Sequence, residues 1–387
     1  MENLKLLTLL LHDERFSGWR IKDKLVRQHF SLQYLHFCRQ RGWEPLLYTF
    51  HQEAKAPEIH KLNNDSVVKI FPVRFRFPPF QLFGNDHNPE SVMHEALMDR
   101  PDLVHFHNYY LFSYPYTAIF VKRELKCPLI VQLHSYNDSF FRKGLYLPNL
   151  LALRNADRIV YSYEPEKILY KRLGVLQKAV KVPTPGFDPQ IFKRQRRCSA
   201  DRLLYVGRIP RPEMACGEKS PLLLIRILRC LLQRSKDTIL DIVGDGPGFH
   251  HCFNLAYELG VEDHVSFHGY VPYNELPKYY QAAALTFSPI RIYDVDGWFD
   301  GSIQESLACG TPVAAFKASP ETPLHGTYGF LLSSNVERAA TEVTTLLKRQ
   351  EELDQVAEEG SRFVHENCSD PTVSAELQKN WEDVIQA

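Results

Sequence analysis

Short apolar runs recur along the chain, separated by stretches whose apolar residues fall three and four positions apart. The runs at residues 4–11, 46–50, 67–71, 103–106, 129–133 and 158–161 are nearly continuous. Runs of that length, apolar on both faces, predict strands buried in a parallel sheet. Residues 21–41 predict a long amphipathic helix after the first strand. A second series of strands is predicted at 203–206, 238–243, 265–267, 285–288, 313–316 and 330–332. Helical patterns at 221–234, 248–259, 276–283 and 336–359 lie between or after them. Strand and helix alternate through both series, which predicts two Rossmann-like, doubly wound α/β domains.

Length agrees with two domains, since 387 residues suffice for two separate cores. The seam is expected near 183–200, where Pro183-Thr-Pro185-Gly186 is turn-rich and Lys193-Arg-Gln-Arg-Arg197 is a solvated charge run. The domains are therefore expected at 1–190 and 198–370.

Composition excludes more than it selects. Basic and acidic residues number 46 each, so nucleic acid is not expected as the main partner, because binding phosphate backbones favours a basic excess. Eight cysteines are scattered without a C-x-x-C pair, which fits reduced thiols in a cytoplasmic protein. The first apolar run is too short for a membrane span and lacks the basic flank of a signal peptide. No G-x-G-x-x-G opens the first helix, which counts against a dinucleotide-dependent dehydrogenase.

The strongest chemical signal is Ser302-Ile303-Gln-Glu305-Ser-Leu-Ala-Cys309-Gly310-Thr-Pro312-Val313. A polar loop enters a short helix that carries Glu305, Gly310 and Pro312 end it, and a buried strand follows. The free N–H groups of a helix N-terminus suit an anion, and a carboxylate one turn in suits the two hydroxyls of a ribose. A nucleotide diphosphate presents both.

This stretch resembles the E-A-x-A-x-G-x-P-V signature of retaining glycosyltransferases of family 4, which have the GT-B fold. Leu203-Leu-Tyr-Val-Gly207-Arg208, Asp241-Ile-Val-Gly244-Asp-Gly246-Pro, Val265-Ser-Phe-His-Gly269-Tyr-Val271 and Gly326-Thr-Tyr-Gly329-Phe-Leu-Leu332 are similar to further family motifs in the same order. The likeness is looser at residues 41–44, 102–107, 129–134 and 156–160. It implies two domains facing a central cleft, with residues 371–387 crossing back onto the first. It implies transfer of a hexose from a nucleotide-diphosphate sugar, such as a UDP-sugar, to a hydroxyl acceptor. No cofactor or metal is implied.

Roles follow from the resemblance, residue by residue. Arg208 and Lys219 would neutralise the leaving diphosphate, across a loop longer than is usual in the family. Gly18, Gly244, Val271, Ser302, Ile303 and Glu305 would bind the donor. The family has a second Glu eight positions before Glu305; here Gly297 stands there, flanked by Asp296 and Asp300 as candidate sugar ligands. His134, at a strand end, would face the donor sugar.

Alternatives stand beside these roles. Arg208 and Lys219 also read as surface charges, His134 as structural, and Gly244 and Gly246 as a tight turn. His105 and His107 share one strand face, and His107, with Tyr109 and Tyr136, is a candidate for acceptor contact. The aromatic stretch 74–83 reads as domain packing, an acceptor site or a membrane-contacting loop, in that order. For the whole chain, a non-catalytic nucleotide-sugar-binding protein and a nucleotide-sugar epimerase remain the rival readings.

Overall fold

Burying the apolar runs produces two separate sheets in the computed structural model. It describes residues 4–10, 21, 25, 30–51, 53–62, 64–75, 86–87, 89–107, 114–132, 147–162, 164–183, 186–195, 201–210, 221–292, 301–317 and 329–387. The chain divides into two units, the first ending at residue 184 and regaining residues 373–387, the second covering 185–372.

In the first unit, β1 (Lys5–Leu10), β2 (Glu44–His51), β3 (Glu58–Lys61), β4 (Val67–Phe75), β6 (Leu103–His107), β7 (Leu129–Gln132), β8 (Arg158–Tyr161) and β9 (Ala179–Lys181) form a sheet ordered β3-β4-β2-β1-β6-β7-β8-β9. The short β5 (Asp86–His87) pairs with β4 off this path. Helices α1 (Phe30–Gln40), α2 (Pro89–Asp99), α3 (Tyr114–Phe120), α4 (Leu147–Asn155) and α5 (Glu164–Arg172) connect the strands. β1 lies at the centre, parallel to both β2 and β6. Its leucines alternate between the faces of the sheet: Leu7 and Leu9 share one core, while Leu6 and Leu10 belong to two others. That is why the run is apolar throughout rather than alternating. Edge strand β3 is antiparallel to β4 and half exposed, so its sequence Glu-Ile-His-Lys carries no long apolar run.

In the second unit, β10 (Arg202–Val206), β11 (Ile239–Val243), β12 (Val265–Gly269), β13 (Leu285–Ile292), β14 (Val313–Lys317) and β15 (Gly329–Leu332) form a sheet ordered β12-β11-β10-β13-β14-β15. Every pairing in it is parallel. Helices α6 (Leu222–Leu231), α7 (Phe249–Glu258), α8 (Leu276–Ala282), α9 (Gly301–Ala308), α10 (Val336–Leu347) and α11 (Gln350–Asn367) accompany it. The single helix expected over 336–359 is two, because Arg349 leaves helical geometry at φ −102°, ψ 67°. The apolar spacing runs through the break in phase, from Val343 and Leu346 to Leu353 and Val356, so the sequence gives no sign of it. After the break, Gly360 comes so close to Leu307 of α9 that a Cβ would stand 2.8 Å from its Cδ2.

The division at 184 falls ahead of the 190 expected. The reason is aromatic: Phe187 packs edge-on to His365 at 5.2 Å and Phe192 on Tyr273 at 4.8 Å, and both phenylalanines are fully buried. These anchors fix the start of the turn-rich seam to the second unit.

The last helix, α12 (Asp370–Gln386), covers one face of the first sheet with Val373, Leu377, Trp381 and Val384. Trp381 is fully buried, lies 6.0 Å from Trp43, and donates its indole N–H to Nδ1 of His105 at 3.2 Å. An indole N–H only donates, so His105 Nδ1 accepts and the ring is neutral, protonated at Nε2. Burial pulls the His105 pKa down to about 3. At the strand end, His107 is equally buried, with Tyr34 edge-on at 4.6 Å and the His105 ring stacked at 4.3 Å. Among the described residues, no helix is long and apolar enough to cross a membrane.

A histidine held neutral in the fold ionises freely once unfolded, near pH 6.5. Its contribution to stability is full above that pH and is lost progressively towards pH 3. The steepest loss is about 1.4 kcal/mol per pH unit. His105→Asn keeps an acceptor for Trp381 and removes the titration. Urea midpoints taken at pH 7 and pH 5 are expected to fall further in the unmodified protein than in this variant; equal falls would show that His105 ionises within the fold.

Candidate active site

Both sheets reverse their strand order once. In the second unit the chain steps outward from β10 to β11 and β12, then returns to place β13 on the opposite side of β10. Connections leaving β10 and β13 therefore diverge at their carboxyl ends, and ligands of doubly wound sheets bind in the crevice so opened. Arg208 follows β10, and α9, with Ser302, Ile303 and Glu305, lies between β13 and β14.

Close backbone contact holds the β10 end in place. Gly207 N–H donates to Val243 O at 3.0 Å, Ile209 N–H to Asp245 O at 2.9 Å, and Gly248 N–H to Ile209 O at 2.9 Å. Gly244 N–H continues the series to Gly269 O at 2.7 Å. The turns after β10 and β11 approach so closely that a Cβ on Gly244 would stand 1.9 Å from the Gly207 carbonyl oxygen. Gly244 also has φ +131°, which side-chain-bearing residues avoid. A Cβ on Gly248 would likewise meet Pro210 O at 2.0 Å. These contacts account for the Gly-Asp-Gly-Pro turn by themselves. Arg208 rides on this support, half-buried, its carbonyl oxygen accepting from the Tyr205 hydroxyl at 2.6 Å.

Helix α9 is fixed at its far end. Gly310, at φ +80°, donates to Leu307 O at 2.9 Å, and Thr311 N–H donates to Ser306 O at 3.0 Å. This pair of bonds is a Schellman termination, with glycine at its left-handed position. Ser306 Oγ lies 2.7 Å from Thr286 Oγ1 on β13, tying the helix to the strand it follows. Ile303 is fully buried, so its N–H in the first turn is what it can offer an anion. Glu305 is half-buried, and its Oε2 accepts from the hydroxyl of Tyr280 on α8 at 2.8 Å. Burial, reinforced by the Glu305 charge, raises the pKa of both Tyr273 and Cys309. The Cys309 thiol is thereby kept protonated and inert.

The structure thus places Arg208, Gly244 and Val271 after three neighbouring strands of one sheet, and Ser302, Ile303 and Glu305 on the helix of the adjoining crossover. His107, a candidate for acceptor contact, instead has no exposed surface in the first unit. Gly18, Tyr109, His134, Tyr136, Lys219, Asp296 and Asp300 lie outside the described residues. Among the described residues no cluster of histidine, cysteine and carboxylate side chains could hold a metal ion. Tyr280 and Thr311 have no role assigned from the sequence, because their partners are distant along the chain.

Two family models match: "Glycosyl transferases group 1" over residues 200–349 and "Glycosyltransferase Family 4" over residues 32–191. A GDP-mannose-dependent alpha-(1-6)-phosphatidylinositol monomannoside mannosyltransferase of Mycolicibacterium smegmatis is 34% identical over 176 residues, 42% of this chain and 46% of that protein. A D-inositol 3-phosphate glycosyltransferase of Nocardiopsis dassonvillei is 31% identical over 183 residues, 42% of this chain and 40% of that protein. The chain thus spans about half the length of the curated relatives it matches. Among solved structures, sucrose-phosphate synthase of Thermosynechococcus elongatus aligns with a TM-score of 0.72 at 16% identity, covering 99% of this chain and 100% of that one. HepE of Anabaena, solved with UDP-glucose, aligns with a TM-score of 0.69 at 17% identity, covering 98% and 100%. These likenesses establish the fold as GT-B.

The glycine contact makes a sharp expectation. Gly244→Ala places a methyl group against backbone that cannot turn aside, and is expected to cost at least about 3 kcal/mol. Gly260, at φ +62° with nothing within 4 Å of a Cβ, is the control. Gly260→Ala is expected to cost about 1 kcal/mol, the strain of the left-handed conformation alone. Denaturant midpoints compare the two, and equal losses would refute the close approach of the two turns.

Proposed function

Because the chain belongs to the family 4, group 1 glycosyltransferases, we propose that it is a retaining enzyme that moves a hexose from a nucleotide-diphosphate sugar to a hydroxyl acceptor. The observation that carries this reading is the placing of Glu305 and Arg208 at the switch in strand order of the second sheet. The relatives named for GDP-mannose and for inositol phosphate support a hexose donor of this kind and a polyol-bearing acceptor. A cytoplasmic setting is supported by free thiols, most of them buried, at the described cysteines.

In this reading the ribose hydroxyls donate to the Glu305 carboxylate. The diphosphate lies at the α9 N-terminus, where the N–H groups of Ser302 and Ile303 favour an anion. Arg208 and Lys219 add two fixed positive charges. As the bond from the anomeric carbon to the diphosphate oxygen breaks, its electron pair leaves with the phosphate, and those cations stabilise the growing charge. The acceptor oxygen bonds to the anomeric carbon on the face the diphosphate is leaving. Its proton passes to a phosphate oxygen. No side chain serves as nucleophile, in contrast to retaining hydrolases that use two carboxylates. Asp296 or Asp300 takes the sugar-binding part that Gly297 cannot, and His134 orients the sugar.

Glu305→Ala removes a charged acceptor from the ribose and is expected to weaken nucleoside diphosphate binding by roughly 1.5–3 kcal/mol. Calorimetric titration measures it, and unchanged affinity would sink the assignment. Turnover is expected to persist in excess chelator, because Arg208 and Lys219 do the neutralising; abolition by chelator with recovery on adding Mg²⁺ or Mn²⁺ would overturn this. The anomeric proton signal of the product is expected to keep the donor's configuration. His134→Ala should slow the reaction without altering that signal, whereas an inverted linkage would remove the mechanism altogether.

A further inference from the structure

We propose that Tyr280 is a positioning residue that orients the Glu305 carboxylate and thereby sets discrimination for a ribose over a deoxygenated sugar. The inference rests on the reading of Glu305 as the ribose ligand.

Tyr280 is fully buried and held through both its backbone and its side chain. Its backbone carbonyl accepts from Thr311 Oγ1 at 2.6 Å, and Thr311 is the residue that closes the Schellman termination of α9. Its ring packs against Phe192, with centroids 6.1 Å apart. Its hydroxyl reaches Glu305 Oε2 at 2.8 Å. One residue of α8 is thus bonded both to the end of the short helix and to the carboxylate that helix carries.

The direction of the bond is settled by chemistry. An ionised carboxylate only accepts, so the phenol donates. The terminal torsion of a glutamate is otherwise soft, with a broad, two-fold preference. A donor fixed by a buried ring selects one orientation before any ligand arrives. Two hydroxyls of a ribose then meet an acceptor already in place, and less ordering is needed on binding. A nucleotide without those hydroxyls gains nothing from the arrangement. Preorganisation by Tyr280 therefore predicts a change in selectivity, whereas simple packing predicts a uniform change in affinity.

The test measures dissociation constants for UDP and 2′,3′-dideoxy-UDP, and for the matching guanine pair, in the unmodified protein and in Glu305→Ala and Tyr280→Phe. For the tighter base, the unmodified protein is expected to favour the ribose form about ten-fold or more, and Glu305→Ala to bind both forms about equally. Tyr280→Phe is expected to lower the preference by about three-fold or more, with affinity for the dideoxy form unchanged. Equal weakening of both forms, or an unchanged preference, in Tyr280→Phe while Glu305→Ala loses it would overturn the role of Tyr280 alone. An unchanged preference in Glu305→Ala would overturn the ribose reading and this inference together. Should Tyr280→Phe fail to fold, Thr311→Val frees the carbonyl clamp and keeps the phenol; it is expected to lower the preference in the same direction, and an unchanged preference there would equally overturn the proposal.

Discussion

The return of the chain from β12 to the opposite side of β10 is the constraint on which the candidate site depends. It separates the connections that follow β10 and β13, so that one carries Arg208 and the other leads into α9 with Glu305. The crossover alone would give only a crevice between strand ends. Two further features give it defined walls. Backbone carbonyls and N–H groups interlock across Gly207, Gly244 and Gly248, fixing the level of Arg208. On the other side, α9 is terminated at Gly310 and tied to β13 through Ser306 and Thr286. Both walls use bonds between main-chain groups or buried hydroxyls, which are costly to break in a dry interior.

Burial shapes the first unit in a different way. Its central strand is covered on one face by α12, the last segment of the chain. The covering is sealed by Trp381, whose single N–H finds a buried histidine nitrogen. A polar pair inside an apolar layer is stable only while its histidine stays neutral, so the packing of the C-terminal helix is linked to pH. His107 belongs to the same buried set, with its ring between Tyr34 and His105.

Much of this was legible in the sequence because parallel strands buried on both faces must be apolar throughout. Arg158–Tyr161 was placed to the residue, and Lys5–Leu10 within one position at each end. Edge strand Glu58–Lys61 escaped notice since half its side chains face water. The break at Arg349 escaped because apolar spacing continues in phase on either side of it. At the site, Glu305 and Arg208 stood out by their setting in strand-end motifs. Tyr280 did not, because a tyrosine on the buried side of a short helix looks like core until its hydroxyl is seen to reach a carboxylate 25 positions along the chain. His107, a polar residue at a strand end and so a candidate for acceptor contact, is buried at the end of β6.

The central claim is that the switch in strand order of the second sheet holds a nucleoside diphosphate by its ribose and its phosphates. A crystal structure of the protein soaked with UDP or GDP tests it most directly. The account predicts ribose oxygens at about 3 Å from the Glu305 carboxylate, with the diphosphate at the start of α9 on the side of Arg208. Nucleotide bound away from the carboxyl ends of β10 and β13, or a ribose out of reach of Glu305, would contradict it.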